Sequence, residues 1–530
     1  MEVTAVLIDT VSIQKYIFSG NRLKENLGAS YLVEQIFEGP LKIAVNSVLG
    51  KESLSSWEHW KTNPDQLLIE KDSECLFEIG FIGGGNGLLL FRKKEDAFKV
   101  VKEWTRSLLI YAPGLQTAVA VCPFKTEDFQ SSLSRSFNEL LKNKNSYFPV
   151  TTLPKFGVTL DCPLSNLSQE VDYRDATGEK RRISSASSAR LSASNDSVKK
   201  MTDTYLENSS KWALTSEVDD LGQLEGQNFI AVVHIDGNNM GARFKSCGTL
   251  SEYRKLSNTI AEITRKAFAS IVTAVSSVDA EDYSDEGIEI RKTEDAKMVL
   301  PLRPVIIGGD DITFITHAKL ALPLSKLFIK RWTALGTEYE ETIPDPLSAC
   351  AGIAFVKTKY PFFQAYEFAE AMCASAKKIA RQYRDAEASW VDFFIQQSGT
   401  TGDAETIRKI QYTYGNRRGF FGPYGLSDIK TDPGSMLRLS LFEKGIGDFK
   451  KKWPKNKLME LRSALILGED ATKHFLEKQA HKNLALPNPD KAFEEFKKAG
   501  WYETKTPYLD MIDFYDFYTD LDLERGKAYE

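Results

Sequence analysis

Residues 304–314, PVIIGGDDITF, are the stretch that sets the fold of this chain. An apolar run enters two glycines, Gly308 and Gly309, and a second apolar run follows Asp310 and Asp311. This order predicts a strand, a tight turn and a strand, with both carboxylates at the turn. Adjacent acids are poor sheet formers, so they carry a folding cost that a bound divalent cation would offset. An ordinary acidic hairpin turn is the alternative interpretation.

The composition is that of a globular protein with several domains. The chain has 530 residues, of which 42% are hydrophobic and 27% are charged. This length predicts about two to four domains. The net charge of −5 provides no overall attraction to nucleic acid. We see no signal-peptide pattern and no apolar run long enough to cross a bilayer, so we expect no membrane attachment.

Cysteine and histidine usage excludes several kinds of site. The six cysteines form no CxxC pair, which argues against a zinc ribbon. Scattered single cysteines are typical of the reducing cytoplasm, where we expect this protein, and of small buried apolar positions. No histidine is followed directly by aspartate, and there is neither a P-loop nor a GxSxG motif. Carboxylates and glycines are therefore the candidate functional groups.

The region around the hairpin, residues 228–400, predicts one compact unit. A buried strand, FIAVVHI, ends at Asp236, and a long amphipathic helix leads to the hairpin. A helix, a strand, a helix and a strand follow, which gives the order βαββαβ with an extra helix and strand. We expect an antiparallel sheet with helices on one face. In that sheet the first strand lies beside the hairpin, so Asp236 should meet Asp310 and Asp311. Three such carboxylates can hold one or two divalent ions about 4 Å apart.

The first 156 residues repeat this order more loosely. The opening strand ends at Asp9, and residues 75–91, CLFEIGFIGGGNGLLLF, repeat the strand, glycine turn and strand. This turn keeps the glycines and lacks the carboxylates of the later one. The layout predicts an internal duplication, with one unit that keeps its acids and one without them.

The other two regions differ in composition. Residues 157–227 contain a basic, serine-rich piece, GEKRRISSASSARLSASNDSVKK, which predicts an irregular connector. One interpretation is that its cations contact RNA or a nucleotide phosphate. The alternative is a solvated loop. Residues 401–530 have the periodicity of a small helical domain.

Several motifs carry a resemblance to a known family. Residues 228–400 resemble the palm domain of nucleotide cyclases and polymerases. Within that superfamily the chain is most similar to the large subunit of type III CRISPR effector complexes, the CRISPR polymerase. The likeness rests on IDGNNMG (235–241), GGDD (308–311), AGIAFVKTKYPF (351–362) and the opening stretch VSIQKYIFSGNRLKENLGASYLVEQIF (11–37).

The resemblance implies a fold and a set of site residues. The fold would be α+β, with two ferredoxin-like palm domains (βαββαβ) and a C-terminal helical domain. Asp236, Asp310 and Asp311 would be the catalytic residues and would bind one or two Mg²⁺ or Mn²⁺ ions. A lysine at the position of Lys377, in the run AEAMCASAKKIAR (369–381), contacts the triphosphate in relatives, although an exposed helix lysine is the alternative. The other residues expected to bind nucleotide are Gly237, Asn238, Asn239, Gly308 and Gly309 in the later unit and Gly84, Gly85 and Asn86 in the first.

The resemblance also implies an activity. Such subunits are nucleotidyltransferases that join ATP into cyclic oligoadenylates, which are antiviral second messengers, and release pyrophosphate. The expected partners are ATP, subunits of the RNA-guided effector and target RNA. Many relatives begin with an HD nuclease domain and carry a zinc-binding cysteine cluster, and this chain shows neither, so we expect a shortened form. A stand-alone, homo-oligomeric cyclase that makes another cyclic nucleotide and a non-catalytic scaffold subunit are the alternatives.

Overall fold

The computed structural model describes most of the chain. The described residues are 2–20, 22–54, 57–146, 151–152, 155, 157–174, 178–206, 211–223, 228–382, 389–397, 402–426 and 437–524. They form two large β-sheets and three small two-stranded ones, with helices around them, which confirms the predicted α+β class. None of the described helices has both the length and the apolar character needed to cross a bilayer.

The first unit, residues 2–146, is built on a four-stranded sheet in the order β2-β3-β1-β4. Runs of at least four consecutive buried residues in β1, β2 and β3 show that both faces of this sheet are covered. Its strands are β1 (Glu2–Val11), β2 (Phe77–Gly83), β3 (Asn86–Phe91) and β4 (Gln116–Lys125). Its helices are α1 (Ile13–Phe18), α2 (Leu23–Ile36), α3 (Lys42–Leu49), α4 (His59–Thr62), α5 (Leu68–Lys71), α6 (Lys94–Tyr111) and α7 (Phe129–Ser146).

The connector contains a long helix, which corrects the prediction of irregular structure there. Helix α8 covers much of the serine-rich piece, and Ser184 caps it by accepting a hydrogen bond from the Ser187 N–H at 3.2 Å. The serines are small enough to let α8 pack tightly on α2. A Cβ on Gly28 of α2 would lie 1.7 Å from the Arg190 carbonyl oxygen. The elements are β5 (Val171–Arg174), β6 (Lys180–Ile183), α8 (Ser185–Tyr205) and β7 (Trp212–Ala213).

The second unit, residues 228–397, has the same central strand order as the first. Its sheet runs β10-β11-β8-β12-β13-β16, and β10 and β11 form the predicted hairpin. Its strands are β8 (Phe229–Gly237), β9 (Met298–Val299), β10 (Leu302–Ile307), β11 (Asp311–His317), β12 (Ala349–Lys357) and β13 (Trp390–Ile395). Its helices are α9 (Met240–Ser246), α10 (Leu250–Ser276), α11 (Ala280–Asp285), α12 (Ala321–Thr337) and α13 (Phe362–Gln382).

Helices cover both faces of this second sheet, contrary to the expectation of one covered face. Helices α10 and α12 share a core with Val233 and Ile235, whereas α13 packs with Val232 on the opposite face. The reason is that β12 and β13 are parallel, so the chain must cross over the sheet between them. Gly352 allows the close approach of α13, because a Cβ there would lie 1.9 Å from the Ala369 carbonyl oxygen.

The C-terminal region is helical as predicted, but it shares a core with the second unit. Strand β16 pairs with β13, and Phe393 of β13 packs against Phe442 and Phe514 of the tail. The boundary at residue 401 therefore separates chain segments and not hydrophobic cores; the remaining domain limits stay predictions. The elements are α14 (Ala404–Tyr412), β14 (Thr413–Tyr414), β15 (Arg417–Arg418), β16 (Tyr424–Gly425), α15 (Leu439–Lys452), α16 (Lys455–Leu467), α17 (Glu469–Gln479) and α18 (Tyr508–Asp513).

A buried ion pair joins the two units. Arg254 of α10 reaches across to β2, where its Nη2 lies 2.9 Å from Glu78 Oε1 and both side chains are fully buried. The guanidinium also donates to the carbonyl oxygens of Gly80 (2.8 Å), Ile79 (2.6 Å) and Gln66 (3.1 Å). The Ile79 and Gly80 carbonyls are available because β2 bulges at Gly80.

We predict that Arg254→Met lowers the free energy of unfolding by about 3–5 kcal/mol, because it leaves the Glu78 carboxylate buried without the guanidinium that neutralises it. Urea unfolding measures this loss. The matched control is Lys255→Met on the same helix, whose ion pair with Asp65 (2.7 Å) is 42% and 63% exposed. That change should cost no more than about 1 kcal/mol. Equal losses in the two variants would contradict a special role for the buried pair.

Candidate functional site

The hairpin turn and the end of β8 meet as the sequence predicts. Asp236 is the Cα partner of Asp311 across the β8–β11 pair. The Gly237 N–H donates to the Asp310 carbonyl oxygen at 3.0 Å. The turn is held from α10, where the Thr264 hydroxyl donates to the Gly309 carbonyl oxygen at 2.5 Å. Three carboxylates that are 75 residues apart in sequence at their widest therefore lie at one sheet edge.

The charges at this edge are out of balance. Burial, together with the neighbouring Asp236 and Asp311 carboxylates, raises the pKa of Asp310 to about 6, against a smaller lowering by Lys377. Asp311 Oδ1 is buried and makes no hydrogen bond with good geometry. A buried carboxylate oxygen without a hydrogen-bond donor has a desolvation cost that no contact within the protein offsets. Both observations indicate a site made for positive charge.

Lys377 of α13 lies at the carboxylates and is not an exposed helix lysine. Its Nζ lies 2.6 Å from Asp236 Oδ2 and donates to the Gly237 carbonyl oxygen at 3.2 Å. The side chain is 20% exposed. The cation thus balances Asp236 and leaves the other two acids uncompensated. The predicted contact of Lys377 with a triphosphate stays a prediction.

His234 is a polar neighbour of the site that the sequence analysis did not single out. Its Nδ1 lies 3.2 Å from Asp311 Oδ1 and 3.2 Å from Thr313 Oγ1, and the hydrogen-bond geometry favours the threonine. Burial lowers the pKa of His234, but the carboxylates of Asp311, Asp236 and Glu370 together raise it more, so the net shift is upward. An apolar strand pattern gives no signal for such a residue, because a histidine among valines and isoleucines most often belongs to the core.

Asn238 and Asn239, two other predicted site residues, each have a role in the local structure. The Asn238 side chain donates to Ser348 Oγ at 3.0 Å, and its backbone N–H donates to the Ser348 carbonyl oxygen at 2.8 Å. Asn239 adopts a left-handed conformation (φ 58°) at the start of α9, which asparagine tolerates better than most residues. Their nucleotide contacts, like that of Gly237, stay predictions.

The first unit contains a counterpart of this site, residue for residue. Asp9 is paired with Asn86 across β1 and β3, as Asp236 is with Asp311. The Thr10 N–H donates to the Gly85 carbonyl oxygen at 3.0 Å, which reproduces the hydrogen bond from Gly237 to Asp310. Because strand order, register and turn contact all recur, the predicted duplication is supported by the structure.

One acid survives in the first unit, which corrects the expectation that it has none. Asp9 Oδ2 lies 2.6 Å from Lys144 Nζ on α7, the helix after the fourth strand. The pair has the same place as Asp236 and Lys377 in the second unit. The signal was present in the sequence as an aspartate at the end of the first strand of each unit. The first turn lacks only the two acids for which it has Gly85 and Asn86.

Both glycine turns line one cavity of about 550 Å³ between the units. Gly83, Gly84 and Gly85 line it from the first unit, and residues 306–311 line it from the second. Asp236, Asn86 and Lys377 are not among its lining residues. Two cations also face it, Lys200 of α8 and Arg265 of α10. The other lining residues on and next to α1, α2 and α8 are Ile13, Gln14, Ile17, Ser30, Val33, Glu34, Phe37, Met201, Thr204 and Tyr205.

The acids at the cavity suit a hard divalent cation in their chemistry. Carboxylate oxygens are the ligands that Mg²⁺ and Mn²⁺ prefer, and the unsatisfied Asp311 Oδ1 and the mutual repulsion around Asp310 would both be relieved by a cation. Within the described part of the chain, no three His, Cys, Asp or Glu side chains are already gathered as a metal site. Asp236, one of the three carboxylates, is held in the ion pair with Lys377.

Comparison with known families assigns the second unit. Residues 229–387 match the family model described as the second palm domain of Cas10/Cmr2. This part of the chain is similar to the second palm domain of Cas10/Cmr2. The predicted resemblance to the type III large subunit is thereby confirmed, and the GGDD hairpin belongs to the matched region. We call residues 228–397 the second palm and residues 2–146, which share its strand order, the first palm.

Solved structures similar to the whole chain come from Csm1-Csm4 assemblies. One is a Csm1-Csm4 cassette in complex with pppApApA, at 13% sequence identity and a TM-score of 0.49, covering 97% of this chain and 69% of that chain. Another is a cassette in complex with AMPPNP, at 12% identity and a TM-score of 0.49, covering 97% and 70%. A third is the Csm1-Csm4 subcomplex of the type III-A CRISPR-Csm interference complex, at 12% identity and a TM-score of 0.48. No curated protein sequence matches the chain.

We predict a characteristic pH dependence for Asp310. Its pKa of about 6 lies above the value of about 3.9 in an unfolded chain, so its contribution to stability is present below about pH 4 and is lost as pH rises through 6. Asp310→Asn should therefore raise the melting temperature of metal-free protein at neutral pH, and the gain should vanish near pH 4.

The control for this measurement is Asp65→Asn. Hydrogen bonds from Lys255 and Ser251 lower the pKa of Asp65, so this change should have the opposite sign and slightly destabilise the protein at neutral pH. Thermal unfolding in EDTA across this pH range tests both variants. An Asp310→Asn variant that is less stable than the parent at neutral pH would contradict the electrostatic analysis.

Proposed function

We propose that the chain is a nucleotidyltransferase that joins ATP into cyclic oligoadenylate second messengers in CRISPR-type antiviral defence. The observation that carries the proposal is the shared cavity, in which the GGDD turn of a Cas10/Cmr2-type palm faces the glycine turn of the first palm. Its expected partners are ATP and the subunits and target RNA of an RNA-guided effector, or a second copy of the chain if it acts alone.

The proposed reaction needs two nucleotides in one place. A ribose hydroxyl oxygen of one ATP bonds to the α-phosphorus of the other, the bond from that phosphorus to pyrophosphate breaks, and the hydroxyl proton passes to solvent. A cavity with a palm on each side can hold the two reactants against each other, which supplies proximity and orientation. The glycine turns suit this role, because backbone without side chains lets a base or phosphate approach closely.

Asp310 and Asp311 are the proposed ligands for one or two Mg²⁺ or Mn²⁺ ions, with Asp236 as the third ligand. Bound there, such ions would activate the attacking hydroxyl and neutralise the leaving pyrophosphate. Asp236 is paired with Lys377 in the structure, so we propose that Lys377 exchanges this partner for the triphosphate, the contact expected from the family. Lys377 would then neutralise a phosphate group in place of the Asp236 carboxylate.

The remaining charge on the triphosphate would meet cations of the cavity wall. Arg265 lines the cavity, is exposed and makes no hydrogen bond or ion pair among the described residues. Lys200 lines it too and is paired with Glu34 at 2.6 Å. We propose that these two cations contact nucleotide phosphates, because they are the basic groups on the wall that also carries the acids. The serine-rich connector would thereby contribute to substrate binding through α8.

A non-catalytic scaffold subunit is the second candidate. The observations that favour it are the ion pair between Lys377 and Asp236 and the lack of a gathered metal site among the described residues. Three clustered acids destabilise the fold by their mutual repulsion, and a scaffold without catalytic activity would gain nothing from them. This argues for the enzyme. Incubation of purified protein with each nucleoside triphosphate and Mg²⁺ or Mn²⁺, followed by mass spectrometry, separates the two.

We predict that Asp310→Ala combined with Asp311→Ala abolishes product while the fold is retained. The change removes the proposed ligands, and it also removes like charges whose repulsion raises the pKa of Asp310, so the melting temperature in EDTA should not fall. Product formation is followed by mass spectrometry and melting by calorimetry. Wild-type turnover by the double variant would overturn the assignment of these two residues.

We predict that Gly84→Leu blocks bond formation and leaves the binding of one ATP nearly intact. Gly84 has φ +57° and open space around its Cβ position, so a leucine there would extend into the region that both turns line. Gly84→Ala is the matched control, because it carries the same backbone cost without the bulk. Nucleotide binding by calorimetry and product by mass spectrometry distinguish the steps. Equal product from the leucine and alanine variants would show that the first palm takes no part.

A further inference from the structure

A row of aromatic contacts runs from the first palm to the Asp311 carboxylate. Phe18 of α1 stacks on Tyr366 of α13, with ring centroids 4.2 Å apart and planes at 15°. Tyr366 in turn makes an edge contact with the His234 ring at 5.5 Å and 74°. His234 Nδ1 lies 3.2 Å from Asp311 Oδ1. One side chain from the first palm thus reaches a candidate metal ligand of the second through two rings.

Each member of the row is tightly confined. Phe18 is 1%, Tyr366 2% and His234 5% exposed. Gly352, the strand partner of His234, lets α13 descend onto the sheet and brings Tyr366 down onto the histidine. In a close-packed interior a ring cannot tilt unless its neighbours move, so the position of Phe18 limits the position of the imidazole.

The imidazole in turn limits the carboxylate. Asp311 Oδ1 is buried and makes no hydrogen bond of good geometry, so the imidazole nitrogen of His234, 3.2 Å away, is the polar neighbour that limits where this oxygen can lie. Groups that orient a metal ligand from behind commonly change metal affinity when they are removed, although they never touch the ion. The row is therefore a physical link between the docking of the two palms and the position of a carboxylate in the metal site.

We propose that His234 is a positioning residue for Asp311, and that Phe18 and Tyr366 make its position depend on the docking of the first palm. This inference rests on the proposed function for the identity of the site as a metal site. It goes beyond that function by making the affinity of the second palm for divalent cations depend on a side chain of the first palm.

The experiment measures Mn²⁺ binding to the full chain without nucleotide, from the loss of the free-ion electron paramagnetic resonance signal. We expect His234→Ala to weaken Mn²⁺ binding about tenfold or more. His234→Asn keeps a polar group at the place of Nδ1 and should restore most of the affinity. A residue with only a structural role would lower the melting temperature in the alanine variant and leave the affinity of the folded protein unchanged.

The first-palm arm of the experiment uses Phe18→Leu, which removes the stacked ring and keeps an apolar side chain. We expect weaker Mn²⁺ binding in this variant and none of that effect in Phe98→Leu, whose ring is 51% exposed on the same palm. If the row acts as one unit, adding Phe18→Leu to His234→Ala should cost little more than His234→Ala alone.

The outcomes separate this inference from the function on which it rests. If Mn²⁺ binding is unchanged in Asp310→Asn with Asp311→Asn, the metal-site assignment fails and the proposed function fails with it. If those acids matter but folded His234→Ala binds Mn²⁺ like the parent, the positioning role alone is overturned. If His234→Ala does not fold, parental Mn²⁺ affinity in Phe18→Leu overturns the coupling. Independent, additive losses in the double variant also overturn it.

Discussion

The pairing of the two palms depends on the buried ion pair between Arg254 and Glu78. Two charges removed from water are costly unless their remaining donors and acceptors are satisfied. Here the guanidinium also donates to three carbonyl oxygens, and Glu78 Oε2 accepts a hydrogen bond from the Ile69 N–H at 2.9 Å. Because most of these groups belong to the strand that enters the first glycine turn, the pair also fixes where that turn lies relative to α10.

A reciprocal contact holds the second turn. Ser30 of α2 donates to the carbonyl oxygen of Val305 at 2.5 Å, at the bulge of β10, just as Arg254 of α10 meets the bulge of β2 at Gly80. Each palm therefore binds, through its first long helix, the bulged strand of the other. A bulge frees carbonyl groups that a regular ladder would use, which is why both contacts lie at these places. The shared cavity is the geometric result, since both turns follow directly from the bulged strands.

The two halves of the duplication differ mainly in charge. Both keep an acid at the end of the first strand and a lysine on the helix after the fourth strand, and these neutralise each other. Only the second palm adds Asp310 and Asp311, so the excess negative charge lies on one side of the cavity. The first palm presents Gly84 and Gly85 instead. An acidic turn on one side of the cavity and a turn of uncharged backbone on the other fit two nucleotides with unequal roles, one bound through cations and one held for attack.

The sequence by itself determined the two glycine hairpins, the order of strands and helices around them, and the meeting of Asp236 with Asp310 and Asp311. Those features follow from local periodicity, glycine placement and the topology of a βαββαβ sheet. Only the tertiary structure decided that the serine-rich connector contains a helix. Its small residues let that helix pack closely on α2 at Gly28, and the helix is stabilised by this packing and not by its local sequence. The tertiary structure also decided that α13 crosses the second face and that Lys377 meets the end of β8, 140 residues away. The reason is that local patterns specify backbone conformation, whereas the partner of a charged or aromatic side chain is set by packing between distant segments.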